Sequence, residues 1–299
     1  MRCHRDIGDS FDGIVAIGGG RIIDTAKAIS VRSNELTRFM DDPSYKLSGE
    51  ARIPLVAIPT IAGSGSEVTP FAVAYRQGIK HSISHPALAP VAAVIDPQLT
   101  ATVPRLQRAI SGLDAIAHGI EALLSNCASE ASDLHGRKAI EIGCRALFKP
   151  TANLTEQLTD LCWAALRGGM AIATTTTTIP HAMSYYFTSV HGVAHGHAVA
   201  LTMGRYLRRF GISMQSEQRL RRWSESYDYI LHQFGATSHL DIEQIWYEHL
   251  ARLGISASLS SMGITKVDMD LLQQHVSRER FANSPLQMSV AEARDLLVD

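Results

Sequence analysis

The sequence predicts an α/β fold in two parts: a parallel-sheet portion over residues 1–103, then an all-helical domain over 104–299. Three observations carry this. Short apolar runs of the kind buried in parallel strands occur at 11–17 (FDGIVAI) and 53–59 (IPLVAIP), each followed by a glycine-rich turn. The first turn leads into a segment with helical apolar spacing, so strand and helix alternate as in a parallel sheet. From about Pro104 the spacing is helical nearly throughout, and β-branched alternation almost disappears.

In chain order, Phe11 to Ile17 is the first strand and Gly18-Gly19-Gly20 ends it. Arg21 to Val31 (RIIDTAKAISV) is the first helix. The second strand, IPLVAIP, runs into Thr60-Ile61-Ala62-Gly63-Ser64-Gly65-Ser66-Glu67, and Ser82 to Ile95 reads as loop and strand closing at Asp96-Pro97. Helices are expected over 108–124, 130–147, 155–173, 199–210, 218–234, 242–253 and 267–276. Thr174 to Thr178 stands apart as a strand-like segment. Trp163, Trp223 and Trp246 fall in helical patterns and read as core or packing residues, and Arg205, Arg208 and Arg209 as a solvated helix face.

Composition narrows the function classes. With 28 basic and 29 acidic residues the net charge is −1, which offers no electrostatic footprint for nucleic acid or an anionic membrane. A content of 45% hydrophobic and 19% charged residues suits a globular protein with a substantial core. Cys3, Cys127, Cys144 and Cys162 form no CxxC pair, so no disulfide framework is expected and a reducing cytoplasm is the default compartment. Met1 to Ser10 is polar and charged, unlike a signal peptide. The least polar long stretch, Ala164 to Pro180, is interrupted by Arg167 and a threonine run, so a soluble protein is expected.

The densest chemical signal is PHAMSYYFTSVHGVAHGH at 180–197, with His181, His191, His195 and His197. Neutral imidazole is the commonest side-chain metal ligand. Upstream, in GLDAIAHGIEALL, Asp114 and His118 stand four apart and project from one helix face. One carboxylate and several of these imidazoles can close around a divalent cation, with Fe(II), Zn(II), Co(II) and Mn(II) all compatible. At the other end of the chain, GGGRIIDTAK places glycines where a strand hands over to a helix, a position where backbone N–H groups can meet a phosphate. It matches neither GxGxxG nor a Walker A loop, because Lys27 lies on the helix. With PTIAGSGSE at the same carboxyl edge of the sheet, the two turns favour a nucleotide or phosphate.

Taken together, GGGRIIDTAK, PTIAGSGSEVT, Lys80 in KHSISHPAL, IDP at 95–97, GLDAIAHGIE and the histidine segments resemble the iron-containing (group III) alcohol dehydrogenases. The motifs occur in that family's order from about residue 12 to 210. The tail RERFANSPLQMSVAEARDLL, with KHSISHP and AHGHAVAL, resembles the family's phosphonoacetaldehyde reductase branch. The resemblance implies a divalent metal, Fe(II) by family expectation or Zn(II), on Asp114, His118, His181 and His195. It implies NAD or NADP contacts from Gly19, Gly20, Asp24, Thr60, Gly63, Thr69, Phe71 and Lys80. Arg21 replaces the family's usual serine, where it can crowd or grip the pyrophosphate. Tyr185 takes the place of a further histidine that many members carry, which leaves Tyr185, His191 and His197 as candidates for proton transfer or substrate contact. The resemblance also implies that the opening βαβ portion of the dinucleotide fold is missing from this chain.

The expected activity is NAD(P)-linked interconversion of a small aldehyde and alcohol in a cytoplasmic homodimer, with phosphonoacetaldehyde as a named candidate. Arg21, Lys80 and His81 are the cations expected to meet its anionic group. The alternatives are a metal- and NAD-dependent cyclase similar to dehydroquinate synthase, and a truncated, catalytically impaired member of the dehydrogenase family.

Overall fold

The computed structural model describes residues 12–31, 38, 52–76, 79–149 and 153–298. Strand β1 (Ile14–Gly18) is followed by helix α1 (Gly20–Ser30), then by β2 (Leu55–Pro59). β1 and β2 pair in parallel with Ile14 opposite Leu55, and a short β5 (Ala92–Ala93) joins the other side of β2, giving the order β1-β2-β5. The pleat sends alternate residues to opposite faces. Ala16, Leu55 and Ala57 pack on Ile23 and Ala26 of α1, while Val15 and Ile17 on the other face remain 61% and 60% exposed. Both strands are apolar on both faces, which is why they read as continuous runs.

Between β2 and β5 lies an antiparallel hairpin of β3 (Phe71–Arg76) and β4 (Ile79–Ser84), with Phe71 opposite Ser84. This corrects the reading of 82–95 as loop and strand: its start completes a hairpin, and only Ala92–Ala93 joins the parallel sheet. Pro86 and Pro90 flank the intervening turn and have no N–H to give a ladder.

The remainder is helical: α2 (Arg105–Leu123), α3 (Glu130–Phe148), α4 (Leu154–Thr175), α5 (Ile179–Val190), α6 (His195–Ser216), α7 (Ser224–Phe234), α8 (Ile242–Leu253), α9 (Met269–His275), α10 (Arg278–Ala282) and α11 (Val290–Ala293). α2 is the axis, with residues 109–123 all buried among α3, α4 and α6. Its core extends through Tyr206, Phe210 and Trp246, and the Trp246 indole N–H is satisfied by the Ala200 carbonyl at 3.0 Å. Ser129 and Ser132 form a capping box that starts α3, and Asn153 caps α4.

Several expectations are corrected here. The strand-like Thr174 to Thr178 is the end of α4 and a tight turn; the Thr175 hydroxyl, wholly buried, donates back to the Ala171 carbonyl at 3.1 Å within that last helical turn. Thr176 then takes φ 58°, a conformation costly for a β-branched residue. Asn283 holds the turn in place, its side-chain amide donating to the Thr175 carbonyl (2.7 Å), Thr176 Oγ1 (3.1 Å) and the Thr177 carbonyl (3.0 Å). α5 was not anticipated as a helix; Pro180 falls in its first turn, where the missing N–H has no intrahelical role. α6 starts at His195 rather than 199. The single helix read over 218–234 divides into a 3₁₀ segment, Gln218–Trp223, and α7. Trp223 and Trp246 are core residues, but Trp163 is 46% exposed beneath the Arg167 guanidinium. Among the described residues, no helix is long and apolar enough to cross a membrane.

Candidate metal centre

α2 presents Asp114, His118 and Glu121 at i, i+4 and i+7, hence on one face, and all three are buried. α5 begins where the threonine turn ends and carries His181 in its first turn. α6 begins with His195, and its next residue explains how close it comes: a Cβ on Gly196 would lie 2.2 Å from the Ile110 carbonyl oxygen of α2. Only a glycine allows this backbone approach, which places His195 beside Asp114.

One ligand atom from each of Asp114, His181 and His195 lies within 4.8 Å of the other two. His181 Nε2 is 3.4 Å from Asp114 Oδ1, and His195 Nε2 is 3.9 Å from the same oxygen. His118, the remaining expected ligand, stands beside this group, its ring stacked on His181 with centroids 4.8 Å apart. Asp114 Oδ1, His181 Nε2 and His118 Nδ1 are buried without a hydrogen-bond partner. Asp114 Oδ1 and His181 Nε2 meet each other at 3.4 Å, whereas His118 Nδ1 is left alone, at a cost of about 1–3 kcal/mol for an unsatisfied buried group. A cation among the ligand atoms of Asp114, His181 and His195 would satisfy Asp114 Oδ1 and His181 Nε2 together, so this donor set fits a divalent metal.

Neighbouring groups set the tautomers. Glu121 is wholly buried; its Oε1 lies 2.7 Å from His181 Nδ1, and its Oε2 accepts from the Thr178 backbone N–H (2.5 Å) and hydroxyl (3.1 Å). A carboxylate can only accept here, so Nδ1 carries the proton and Nε2 is the nitrogen turned to Asp114. The Ser184 hydroxyl donates to the His181 carbonyl at 2.7 Å and stands 3.4 Å from His195 Nδ1. Having spent its proton, that hydroxyl is an acceptor for Nδ1–H, which again leaves Nε2 facing Asp114.

The electrostatics agree with a site that wants positive charge. Burial by itself disfavours an ionised Asp114, yet His118, His195 and His181 together hold its carboxyl well below the usual range. Burial also pushes His181 down, but Glu121 and Asp114 outweigh it and hold the imidazole up at about 9. His118 is held down at about 4, chiefly by burial, with Asp114 offsetting only part.

The glycine turns lie on the same side of the molecule as this cluster. Thr60 N–H donates to the Gly18 carbonyl at 3.1 Å, joining the two turns. A Cβ on Gly63 would lie 2.8 Å from the Ser111 carbonyl oxygen, one turn before Asp114 on α2. Gly65 adopts φ +62° and meets α4 at Gly169. α1 is stitched to this loop by the half-buried Asp24 and the fully buried Lys27. Asp24 accepts from Ser66 Oγ (2.6 Å) and Val73 N–H (3.0 Å). Lys27 Nζ donates to the carbonyls of Thr69 (2.9 Å) and Phe71 (2.6 Å) and approaches Thr69 Oγ1 at 3.3 Å.

Of the other sequence-based candidates, Gly19 and Gly20 open α1 and Arg21 is exposed beside them. Thr60 is half-buried, and Gly63, Thr69 and Phe71 are buried. The side chains of Lys80 and His81 lie outside the described residues. Tyr185 is buried one turn beyond His181 on α5. The structure does not bring the other two histidines to the cluster. His191 is exposed and hydrogen-bonds to the Tyr186 hydroxyl at 3.1 Å, while His197 Nε2 donates to the Ser256 carbonyl at 2.6 Å. Sequence reasoning missed Glu121, although its i+7 spacing from Asp114 was a usable signal. It also missed Lys27 and Asn283, whose partners lie far away in the chain.

Comparison with known proteins agrees with this geometry. Residues 6–97 match the iron-containing alcohol dehydrogenase family, and residues 108–298 match the C-terminal part of the Fe-containing alcohol dehydrogenase family. The chain is 27% identical to long-chain-alcohol dehydrogenase 1 of Geobacillus thermodenitrificans over 295 residues, 95% of this chain and 73% of that protein. It is 36% identical to phosphonoacetaldehyde reductase of Streptomyces viridochromogenes over 208 residues, 66% of this chain and 53% of that protein. The crystal structure of an iron-containing alcohol dehydrogenase from Thermotoga maritima superposes with a TM-score of 0.80 at 28% identity, covering 99% of this chain and 77% of the other. A parallel sheet with glycine turns, set against helices that converge one carboxylate and buried imidazoles, thus belongs to the iron-containing alcohol dehydrogenase family, and the chain is a metal-dependent, NAD(P)-linked oxidoreductase of that family.

Proposed function

We propose that the chain reduces a small aldehyde bearing an anionic group, with phosphonoacetaldehyde as the named candidate. In this reading Asp114, His118, His181 and His195 hold one divalent cation. Gly19, Gly20, Arg21, Asp24, Thr60, Gly63, Thr69, Phe71 and Lys80 line the nicotinamide cofactor's site. Residues 1–103 form the dinucleotide-binding part and 104–299 the metal-binding part. The observation that carries the reading is the convergence of ligand atoms of Asp114, His181 and His195 within 4.8 Å of one another, with Asp114 Oδ1 and His181 Nε2 buried and without a hydrogen-bond partner. The kinship with a phosphonoacetaldehyde reductase supports the substrate.

When bound, the metal supplies Lewis-acid polarisation of a carbonyl and the nicotinamide supplies hydride. The chain's own contribution is placement. Glu121 and Ser184 fix which imidazole nitrogens point inward. The buried faces of α2 and α5 enclose Asp114 and His181, while His195 stays partly open to solvent. Lys27 and Asp24 tie α1 to the loop at Ser66 and Thr69 and to the hairpin at Phe71 and Val73. Tyr185 packs one helical turn from His181, buried on α5.

Elemental analysis tests the ligands: Asp114→Ala and His195→Ala should each lose stoichiometric metal. Unchanged metal in both would place the site elsewhere. NAD(P)H oxidation with phosphonoacetaldehyde and with propionaldehyde tests the substrate. Equal kcat/KM for the two would remove the anionic reading and leave the oxidoreductase assignment standing.

A further inference from the structure

Arg280 sits in α10, in the tail, and is only 8% exposed. Its guanidinium donates to Thr177 Oγ1 and, at 3.0 Å, to Ser82 Oγ of β4. It lies 5.7 Å from the ring centroid of Phe71 and 5.8 Å from that of Tyr185. Among the described residues no carboxylate forms an ion pair with it.

This is an expensive arrangement unless something completes it. Burying an ion costs several kcal/mol, and breaking a buried pair by removing one partner is strongly destabilising. Two neutral hydroxyls return little of that, and cation–π contacts at these distances contribute about 0.5–2 kcal/mol each. A guanidinium has five N–H donors in a planar fork suited to paired oxygens of an oxyanion. Thr177 and Ser82 engage only part of that fork. The position is also the right one. Tyr185 is one helical turn from His181, and Phe71 is the residue whose carbonyl holds Lys27 beneath the cofactor loop. Arg280 therefore lies at the junction of the metal cluster, the hairpin and the cofactor loop.

We propose that Arg280 selects the substrate, its guanidinium binding the phosphonate of a two-carbon aldehyde whose carbonyl lies at the Asp114–His181–His195 cluster. This rests on the anionic-aldehyde reading above and names the residue that enforces it. Ser82 and Thr177 are positioning residues that hold the fork.

The test compares the metal-loaded wild type with Arg280→Gln and Arg280→Lys. Two readouts are taken: the ratio of kcat/KM for phosphonoacetaldehyde over propionaldehyde, and calorimetric binding of phosphonoacetate, an unreactive probe. In Arg280→Gln the anionic-to-neutral ratio should fall roughly 10- to 100-fold, the size of one charge-assisted pair, and phosphonoacetate affinity should fall in parallel. Arg280→Lys, which keeps the charge without the fork, should fall between. A wild-type ratio and wild-type phosphonoacetate affinity in Arg280→Gln would overturn the proposal and show a strut that only fastens the tail. If Arg280→Gln does not fold, full wild-type preference in Arg280→Lys overturns it equally. A wild type that reduces neither aldehyde, yet binds phosphonoacetate in an Arg280-dependent way, would overturn the proposed reaction and leave the anion site standing.

Discussion

Replacing Glu121 with glutamine separates the metal ligands from the group that orients them. The side chain is wholly buried and nearly isosteric with its replacement, so the change is one of charge and hydrogen-bond polarity. On the Oε1 side, His181 Nδ1 loses a carboxylate acceptor at 2.7 Å. Loss of such a partner typically lowers metal affinity by about 10- to 100-fold, or roughly 1.4–2.7 kcal/mol. On the Oε2 side, two donors from Thr178 converge at 2.5 and 3.1 Å. The amide offers one oxygen for the two sides, so a donor is left facing a donor. An unsatisfied buried group costs about 1–3 kcal/mol of fold stability, or roughly 2–12 °C in Tm for a domain of this size. The assay is a chelator competition for the metal, run with a thermal melt of the same sample. Wild-type metal affinity with a lowered Tm would refute the orienting role and leave Glu121 as a purely structural acceptor for Thr178. No change in either quantity would refute both halves of the reasoning.

Gly196→Ala should lose metal and stability together, because its Cβ would stand 2.2 Å from the Ile110 carbonyl and force α6 off α2; overpacking of this kind costs about 1–3 kcal/mol, measurable by denaturant unfolding alongside elemental analysis. Burial pushes the Lys27 ammonium down to about 8, against the pull of Asp24 and Glu67. Because the unfolded chain holds that proton up to about 10.5, stability should rise as pH climbs from about 8 to 10.5, by about 3 kcal/mol in all. Lys27→Met should lack this rise, and parallel pH–stability curves for the two proteins would contradict the assignment. Among Cys127, Cys144 and Cys162, the exposed Cys127 should react with a thiol reagent in the native state. Cys144 and Cys162 should react only on unfolding, since burial raises both thiols, Cys162 to about 11; native-state labelling located by mass spectrometry decides this.

What the sequence determined by itself was local. Helical spacing put Asp114 and His118 on one face, and it put Glu121 there too, because 3.6 residues per turn fixes which side chains share a stripe. Apolar runs with glycine stops located β1, β2 and α1, and the change of period near Pro104 marked where strands give way to helices. The misread segments were those in which local preference gave way to partners elsewhere. Thr176 keeps its left-handed backbone beside Asn283, 107 residues away, and the β3–β4 hairpin has little apolar alternation to announce it. Which histidines matter was also a tertiary decision. His181, His191, His195 and His197 are equivalent as residue types, yet packing at Gly196 turns His195 toward Asp114, while His197, two residues on, points to Ser256. Arg280 and Ser82 lie 198 residues apart and meet beside the cluster. Spacing along a chain encodes the face a side chain occupies; which faces meet is settled by the packing of whole helices, and that information is spread over residues that never touch the site.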